Sequence, residues 1–186
     1  MDTENLREEV LSRQLRFHGA IIDVAHWQVR LPDGSAALRE VVLHPGAAAV
    51  VPVDAAGMVT LVRQHRVVLD EVTLEIPAGK LDAPGEDPLA CARRELSEET
   101  GLTAAHWRHL MTITTTPGFC TERVALYLAT GLQAGAAHLD EGEFLRVERM
   151  PLDEAVALVM AGRVPDGKTA LGLLMASRIL GGQFTI

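Results

Sequence analysis

Apolar and polar positions alternate through much of the chain. Residues 17–44 read FHGAIIDVAHWQVRL, PDGS, AALREVVLH, and Asp33-Gly34 fits the turn of a hairpin. GAAAVVPVD (46–54) and MVTLVRQHR (58–66) predict a second strand pair joined at Ala56-Gly57. EVTLEIPAG (71–79) predicts one more strand, HWRHLMTITTTPG (106–118) and VALYLATGL (124–132) two others, and EFLRVERM (143–150) the last. The period changes to helical in three places. From about Pro88 to Thr100, Asp87 is a suitable N-cap, Pro88 suits the first helical position and Gly101 a C-terminal stop. LDEAVALVMA (152–161) runs up to Gly162. KTALGLLMASRIL (168–180) runs up to Gly181-Gly182, and its leucines and alanines nearly encircle it, which predicts burial. Helices interleaved with strands predict an α/β fold, a mixed sheet with helices on its faces.

Composition narrows the possibilities. The chain has 186 residues, 48% of them apolar, which suits one domain with a core of its own. No run of about 18 apolar residues exists to span a membrane. The start, MDTENLREEVLSRQ, lacks the basic and then apolar pattern of a secretory signal. Cys91 and Cys120 are too few for a disulfide framework or a zinc ligand set, so a reducing, cytoplasmic location is expected. A net charge of −8 argues against nucleic acid as a partner. An anionic small molecule is compatible with it if arginines or a bound metal supply local positive charge.

The helix at 88–100 carries the chemistry. Glu95, Glu98 and Glu99 lie at i, i+3 and i+4, with Glu95 and Glu99 on one stripe. Like charges at that spacing cost a helix about a few tenths of a kcal/mol per pair. Arg94 stands four residues before Glu98 and can pair with it. A solvated acidic face is one explanation for the remaining two. The other is a hard divalent cation such as Mg²⁺, which binds through one or two carboxylates plus substrate phosphates.

From Gly79 the chain reads G-x6-E-x7-R-E-L-x-E-E-x-G-L. This closely resembles the signature of the Nudix hydrolases, G-x5-E-x7-R-E-U-x-E-E-x-G-U with U aliphatic. Gly79, Glu86, Arg94, Glu95, Leu96, Glu98, Glu99, Gly101 and Leu102 match, and one extra residue falls in the KLDAPG loop. The resemblance implies a Nudix-fold α/β/α sandwich in which a loop–helix–loop holds Mg²⁺ or Mn²⁺ against a diphosphate. Glu95, Glu99 and the Ala78 carbonyl are the implied metal ligands. Glu98 is an auxiliary ligand or a partner of Arg94. Glu86 is structural, or reaches a metal through water.

REVVLHPGAAAVVPVD, LVRQHR, TLEIPAGKLD, TTTPGFCTERVALYLA and DGKTALGLLMA together resemble the ADP-ribose pyrophosphatase branch, from about residue 17 to 180. That resemblance implies Mg²⁺-dependent hydrolysis of ADP-ribose to AMP and ribose 5-phosphate. It places Pro117, Gly118 and Glu122 beside the substrate, and Arg66 and Arg39 at its phosphates, where a planar guanidinium can grip oxygens bidentately. In HLDEGEFLRV (138–147), Glu141 fits the general base and Glu143 a metal ligand, and the two roles can be exchanged. Residues 1–44 are expected to form an N-terminal β segment that dimerises the protein, and 45–186 the hydrolase domain. Two alternatives stand beside this: hydrolysis of another nucleoside diphosphate sugar such as GDP-mannose, and a nucleotide sensor without turnover. Sensors of that kind usually lose box carboxylates, and here the box is complete.

Overall fold

The alternating segments form strands, but several pair differently from a run of hairpins. The computed structural model describes residues 6–83, 85–136 and 144–182. The chain divides into two compact units, Met1–Gly46 with Thr114–Glu122, and Ala47–Ile113 with Arg123–Ile186.

The first unit is built on a three-stranded antiparallel sheet of β1 (Glu9–His18), β2 (Asp23–Arg30) and β3 (Ala36–Leu43), in that order. β2 and β3 form the hairpin expected around Asp33-Gly34. β1 was not foreseen. Its register slips between Val10 and Ser12 and again between Leu15 and Phe17. Such bulges break the two-residue period by which a strand is recognised. All ten of its positions are exposed, so no buried face marks it in the sequence either. Arg13 lies over the Trp27 ring at 4.7 Å from its centroid, tying β1 to β2. The segment 114–122 is laced to β3: the Val42 N–H donates to the Phe119 carbonyl at 2.7 Å, and the Thr121 N–H to the Val42 carbonyl at 2.9 Å.

The second unit holds the sequential elements β4 (Ala47–Pro52), β5 (Met58–Arg66), β6 (Glu71–Glu75), β7 (Ala78–Lys80), α1 (Pro88–Thr100), β8 (Leu102–Thr114), β9 (Arg123–Ala134), β10 (Leu145–Pro151), α2 (Leu152–Met160) and α3 (Gly167–Leu180). They make one sheet in the order β7-β4-β9-β8 and another in the order β10-β5-β6. β4 and β9 run parallel and β4 and β7 antiparallel, so the first sheet is mixed.

Two expectations are corrected here. β4 and β5 are not a hairpin pair; they lie in different sheets, and the isolated bridge Val53–Val59 forms just past the end of β4. The reason is burial. Ala48 through Val51 are fully buried, so β4 needs a central position covered on both faces. Residues 71–79 are likewise two strands rather than one. Pro77 has no N–H to offer a ladder, and the chain passes from one sheet to the other between Glu75 and Ala78.

Side-chain alternation sorts the helices onto opposite faces. Ala48 and Val50 of β4, with Ala125, Tyr127 and Ala129 of β9, pack against Cys91, Ala92 and Leu96 of α1. Ala49 and Val51, with Leu126 and Leu128, pack against Leu173 and Ala176 of α3. The result is the expected helix–sheet–helix layering. α3 is less enclosed than its composition predicts. It buries one stripe, Thr169, Gly172, Leu173 and Ala176, and leaves Arg178 and Leu180 exposed. α1 has the expected ends: the Asp87 carboxylate accepts from the Leu89 N–H, and Gly101 closes the helix at φ 69°.

Candidate active site

α1 lies along β7, and its acidic stripe faces backbone rather than water. Glu95 and Glu99 are 8% and 3% exposed. β7 is held in place by β4, which pairs Ala49 with Ala78 and Ala48 with Gly79. The Ala78 N–H donates to Glu99 Oε2 at 3.3 Å. A Cβ at residue 79 would sit 1.9 Å from Glu95 Oε1, so a side chain there displaces that carboxylate. Backbone and carboxylates therefore meet with no side chain between them.

Buried carboxylates need compensation, and Arg94 provides part of it. The sequence pairs Arg94 with Glu98. In the structure its Nη1 reaches both Glu98 Oε2 at 3.1 Å and Glu95 Oε1 at 2.6 Å. Its Nη2 donates to the Lys80 carbonyl at 3.2 Å and lies 3.1 Å from Asp82. Burial works against its charge, but Glu95 and the other neighbouring groups outweigh that and raise its pKa further. Glu86 closes the loop that carries the extra residue. Its carboxylate accepts from the Asp82 N–H at 2.6 Å, and its own N–H donates to the Ala83 carbonyl at 3.1 Å. Cys91 is no nucleophile: burial first, then the Glu95 charge, pushes its thiol up to about 12.

This donor set suits a hard cation. Two carboxylates lie against a strand end where a methyl group at residue 79 would displace one of them. Among the described residues no three His, Cys, Asp or Glu side chains converge on one point. Glu141 and Glu143 lie outside the described residues.

Arg66, at the end of β5, is engaged side-on. Its Nε and Nη2 donate to Glu75 Oε1 and Oε2, each at 2.7 Å. The Thr73 hydroxyl donates to Glu75 Oε1 at 2.6 Å, and Lys168 Nζ donates to Oε2. Lys168 also meets Asp166 at 3.0 Å. Burial alone would raise the pKa of Glu75; the Arg66 hydrogen bonds, Lys168 and Thr73 overcome it and lower the value to about 2. Arg66, Glu75, Asp166 and Lys168 help line a cavity of ≈ 390 Å³.

The other expected substrate residues lie in the first unit. Arg39 forms a two-point pair with Glu8, through Nε at 3.0 Å and Nη2 at 2.5 Å. Arg39, Pro117 and Gly118 share a cavity of ≈ 410 Å³ with Trp27 and Phe119. Glu122 accepts from the Thr115 hydroxyl at 2.7 Å and stands 3.6 Å from His44. Glu75, Lys168 and Asp166 were not singled out from the sequence. The available signal was a carboxylate between Leu74 and Ile76 in an otherwise apolar strand end, which calls for a buried cation.

The family profile of the NUDIX domain matches residues 43–170. The chain is 41% identical over 172 residues to the ADP-ribose pyrophosphatase of Bacillus subtilis (strain 168), covering 91% of this chain and 92% of that protein. It is 39% identical over 168 residues to the methanol dehydrogenase activator of Bacillus methanolicus, covering 89% and 90%. A crystal structure described as an ADP compounds hydrolase superposes with a TM-score of 0.82 at 22% identity, covering 97% of this chain and 98% of that one. At that identity the likeness speaks for the fold.

Two predictions follow from the geometry. Gly79→Ala displaces the Glu95 carboxylate and should weaken divalent-cation dependence on the order of 10- to 100-fold, read as the cation concentration giving half-maximal activity. Unchanged dependence would mean that Glu95 does not serve the ion. The second concerns acid. Glu75 has a folded pKa depressed from 4.5 to about 2, so its contribution is present above about pH 4.5 and lost as pH falls toward 2. That contribution is on the order of 3 kcal/mol. Glu75→Gln should lower the unfolding midpoint at pH 7, and the gap to the unaltered protein should narrow at pH 3. A gap that stays constant with pH would refute the linkage.

Proposed function

The chain belongs to the NUDIX domain family, and on that premise we propose that this Nudix hydrolase converts ADP-ribose and water to AMP and ribose 5-phosphate, with Mg²⁺ on the α1 carboxylates. The observation that carries the substrate is the 41% identity to an ADP-ribose pyrophosphatase along nearly the whole of both chains. A complete set of box carboxylates, two of them buried against the Ala78-Gly79 backbone, supports turnover rather than sensing.

Glu95, Glu99, the Ala78 carbonyl and Glu143 would hold the metal. When bound, Mg²⁺ neutralises phosphate charge and makes a water more acidic. Arg94 keeps Glu95 and Glu98 in place through its Nη1. Glu98, 28% exposed at its side chain, is available as an auxiliary carboxylate. Arg66 supplies positive charge to the diphosphate; Arg39, paired with Glu8 in the single chain, does so only when the substrate displaces that carboxylate. Pro117, Gly118 and Glu122 border the rest of the substrate. Glu141 takes the proton of the attacking water, whose oxygen bonds to one phosphorus as the bridging P–O bond breaks. The bridging oxygen leaves with the other phosphate.

The proposal includes a C₂ homodimer formed through the N-terminal strands. β1 is exposed at every position in the single chain, with Leu11, Leu15 and Phe17 at 46%, 53% and 56%. An edge strand of that length, unpaired on one side among the described residues and exposing Val10, Leu11, Leu15 and Phe17, is a surface that proteins ordinarily cover.

Among ADP-ribose, GDP-mannose, UDP-glucose and NADH, ADP-ribose should give the highest kcat/KM. Glu99→Gln should abolish most of that activity at saturating Mg²⁺. A clear preference for GDP-mannose would overturn the substrate, and near-normal activity of the variant the metal assignment. Sedimentation at micromolar concentration should return a dimer that residues 1–40 are needed to maintain; a fully active monomer would refute the quaternary part.

A further inference from the structure

Glu75 is a charged side chain, 3% exposed, that is not among the proposed metal ligands. We propose that Glu75 and Lys168 are positioning residues for Arg66, presenting its guanidinium to the substrate diphosphate; this rests on the ADP-ribose reading above.

The first support is geometric. A carboxylate that accepts from both Nε and Nη2 fixes the plane of the guanidinium. Nη1 makes no hydrogen bond among the described residues, and the Arg66 side chain remains 39% exposed. The free edge is therefore the one turned away from Glu75. An arginine held this way loses its rotamer freedom on folding rather than on binding, which favours the bound anion.

The second support is charge. An Arg66–Glu75 pair alone would be neutral and of little use to a diphosphate. Lys168 donates to the Oε2 atom that Arg66 also uses, so one carboxylate faces two cations and the group of three carries a net positive charge. Asp166 also touches Lys168, but its carboxylate caps α3, accepting from the Thr169 N–H at 3.0 Å and from the Thr169 hydroxyl. The partial positive charge of the helix N-terminus offsets it there.

The third support is rigidity. The Thr169 hydroxyl accepts from the Ile76 N–H at 2.9 Å. The start of α3, which carries Lys168, is thus fastened to the residue after Glu75. β5 and β6, which carry Arg66 and Glu75, are antiparallel neighbours in one sheet. All three charged groups sit on paired or capped backbone.

The competing explanation is a buried ion pair that serves only the fold. Steady-state kinetics with ADP-ribose and Mg²⁺, joined to unfolding curves, separate the two. Arg66→Ala should raise KM on the order of 10- to 100-fold, the loss of charge-assisted hydrogen bonds. Lys168→Met should raise KM several-fold with a smaller change in kcat, and Lys168→Arg should restore it. In an Arg66→Ala background, Lys168→Met should add nothing further to KM. Glu75→Gln should raise KM in the same way. The proposal is overturned if Lys168→Met and Glu75→Gln lower the unfolding midpoint while KM stays put, if Arg66→Ala leaves KM unchanged, or if Lys168→Met acts equally with and without Arg66. An unaltered chain that fails to cleave ADP-ribose would bring down the functional reading and this proposal together. Cleavage with an unmoved KM brings down the proposal alone.

Discussion

Two carboxylates pressed against a bare stretch of backbone are the constraint on which the catalytic unit turns. Glu95 and Glu99 cannot be buried without compensation, and Gly79 cannot be anything larger without displacing Glu95. The strand end must therefore lie beside the helix at one fixed distance. The central strand β4 sets that distance, holding β7 on one edge and receiving α1 on its face. Arg94 then gathers Glu95, Glu98, Asp82 and the Lys80 carbonyl around one guanidinium. The charge pattern that looks costly along the helix is made coherent by what faces it.

Residues 75–79 join these buried carboxylates to the arginine cluster. Glu75 is held by Arg66, Lys168 and Thr73, the Ile76 N–H by Thr169, the Pro77 carbonyl by the Val50 N–H, and the Ala78 N–H by Glu99. Proline at 77 matters twice. It ends one sheet ladder, and it lets a single extended stretch contribute to two sheets. A shift anywhere in this stretch would be felt at both the acidic helix and the basic cluster.

Much of this was legible in the sequence, where local signals and tertiary demands agree. α1 was legible because Asp87, Pro88 and Gly101 mark its ends. The box placed its carboxylates on one stripe because helical spacing is fixed. Pairing was less legible, since strand partners depend on burial that alternation does not report. β4 and β5 look like a hairpin across Gly57, yet the apolar faces of β4 draw it to the centre of another sheet. β1 escaped notice because bulges erase its period and neither face is buried within the chain. Glu75 and Lys168 are 93 residues apart, and only the fold brings them within reach of each other. Arg66 was picked out for its phosphate chemistry, but the carboxylate beside it was not.

The parallel pairing of β4 with β9 has a kinetic side. It matches residues 47–52 to 124–129, with four strands and α1 lying between them in the chain. Contacts so distant in sequence are slow to form, because the loop must close before any of them is made. Until β9 arrives, Cys91, Ala92 and Leu96 have Ala48 and Val50 of β4 but not Ala125, Tyr127 and Ala129 to pack on. The antiparallel β5–β6 pair can assemble far earlier from neighbouring residues. A chain interrupted before residue 124 would leave α1 without half of its apolar partners and β4 with one edge unpaired.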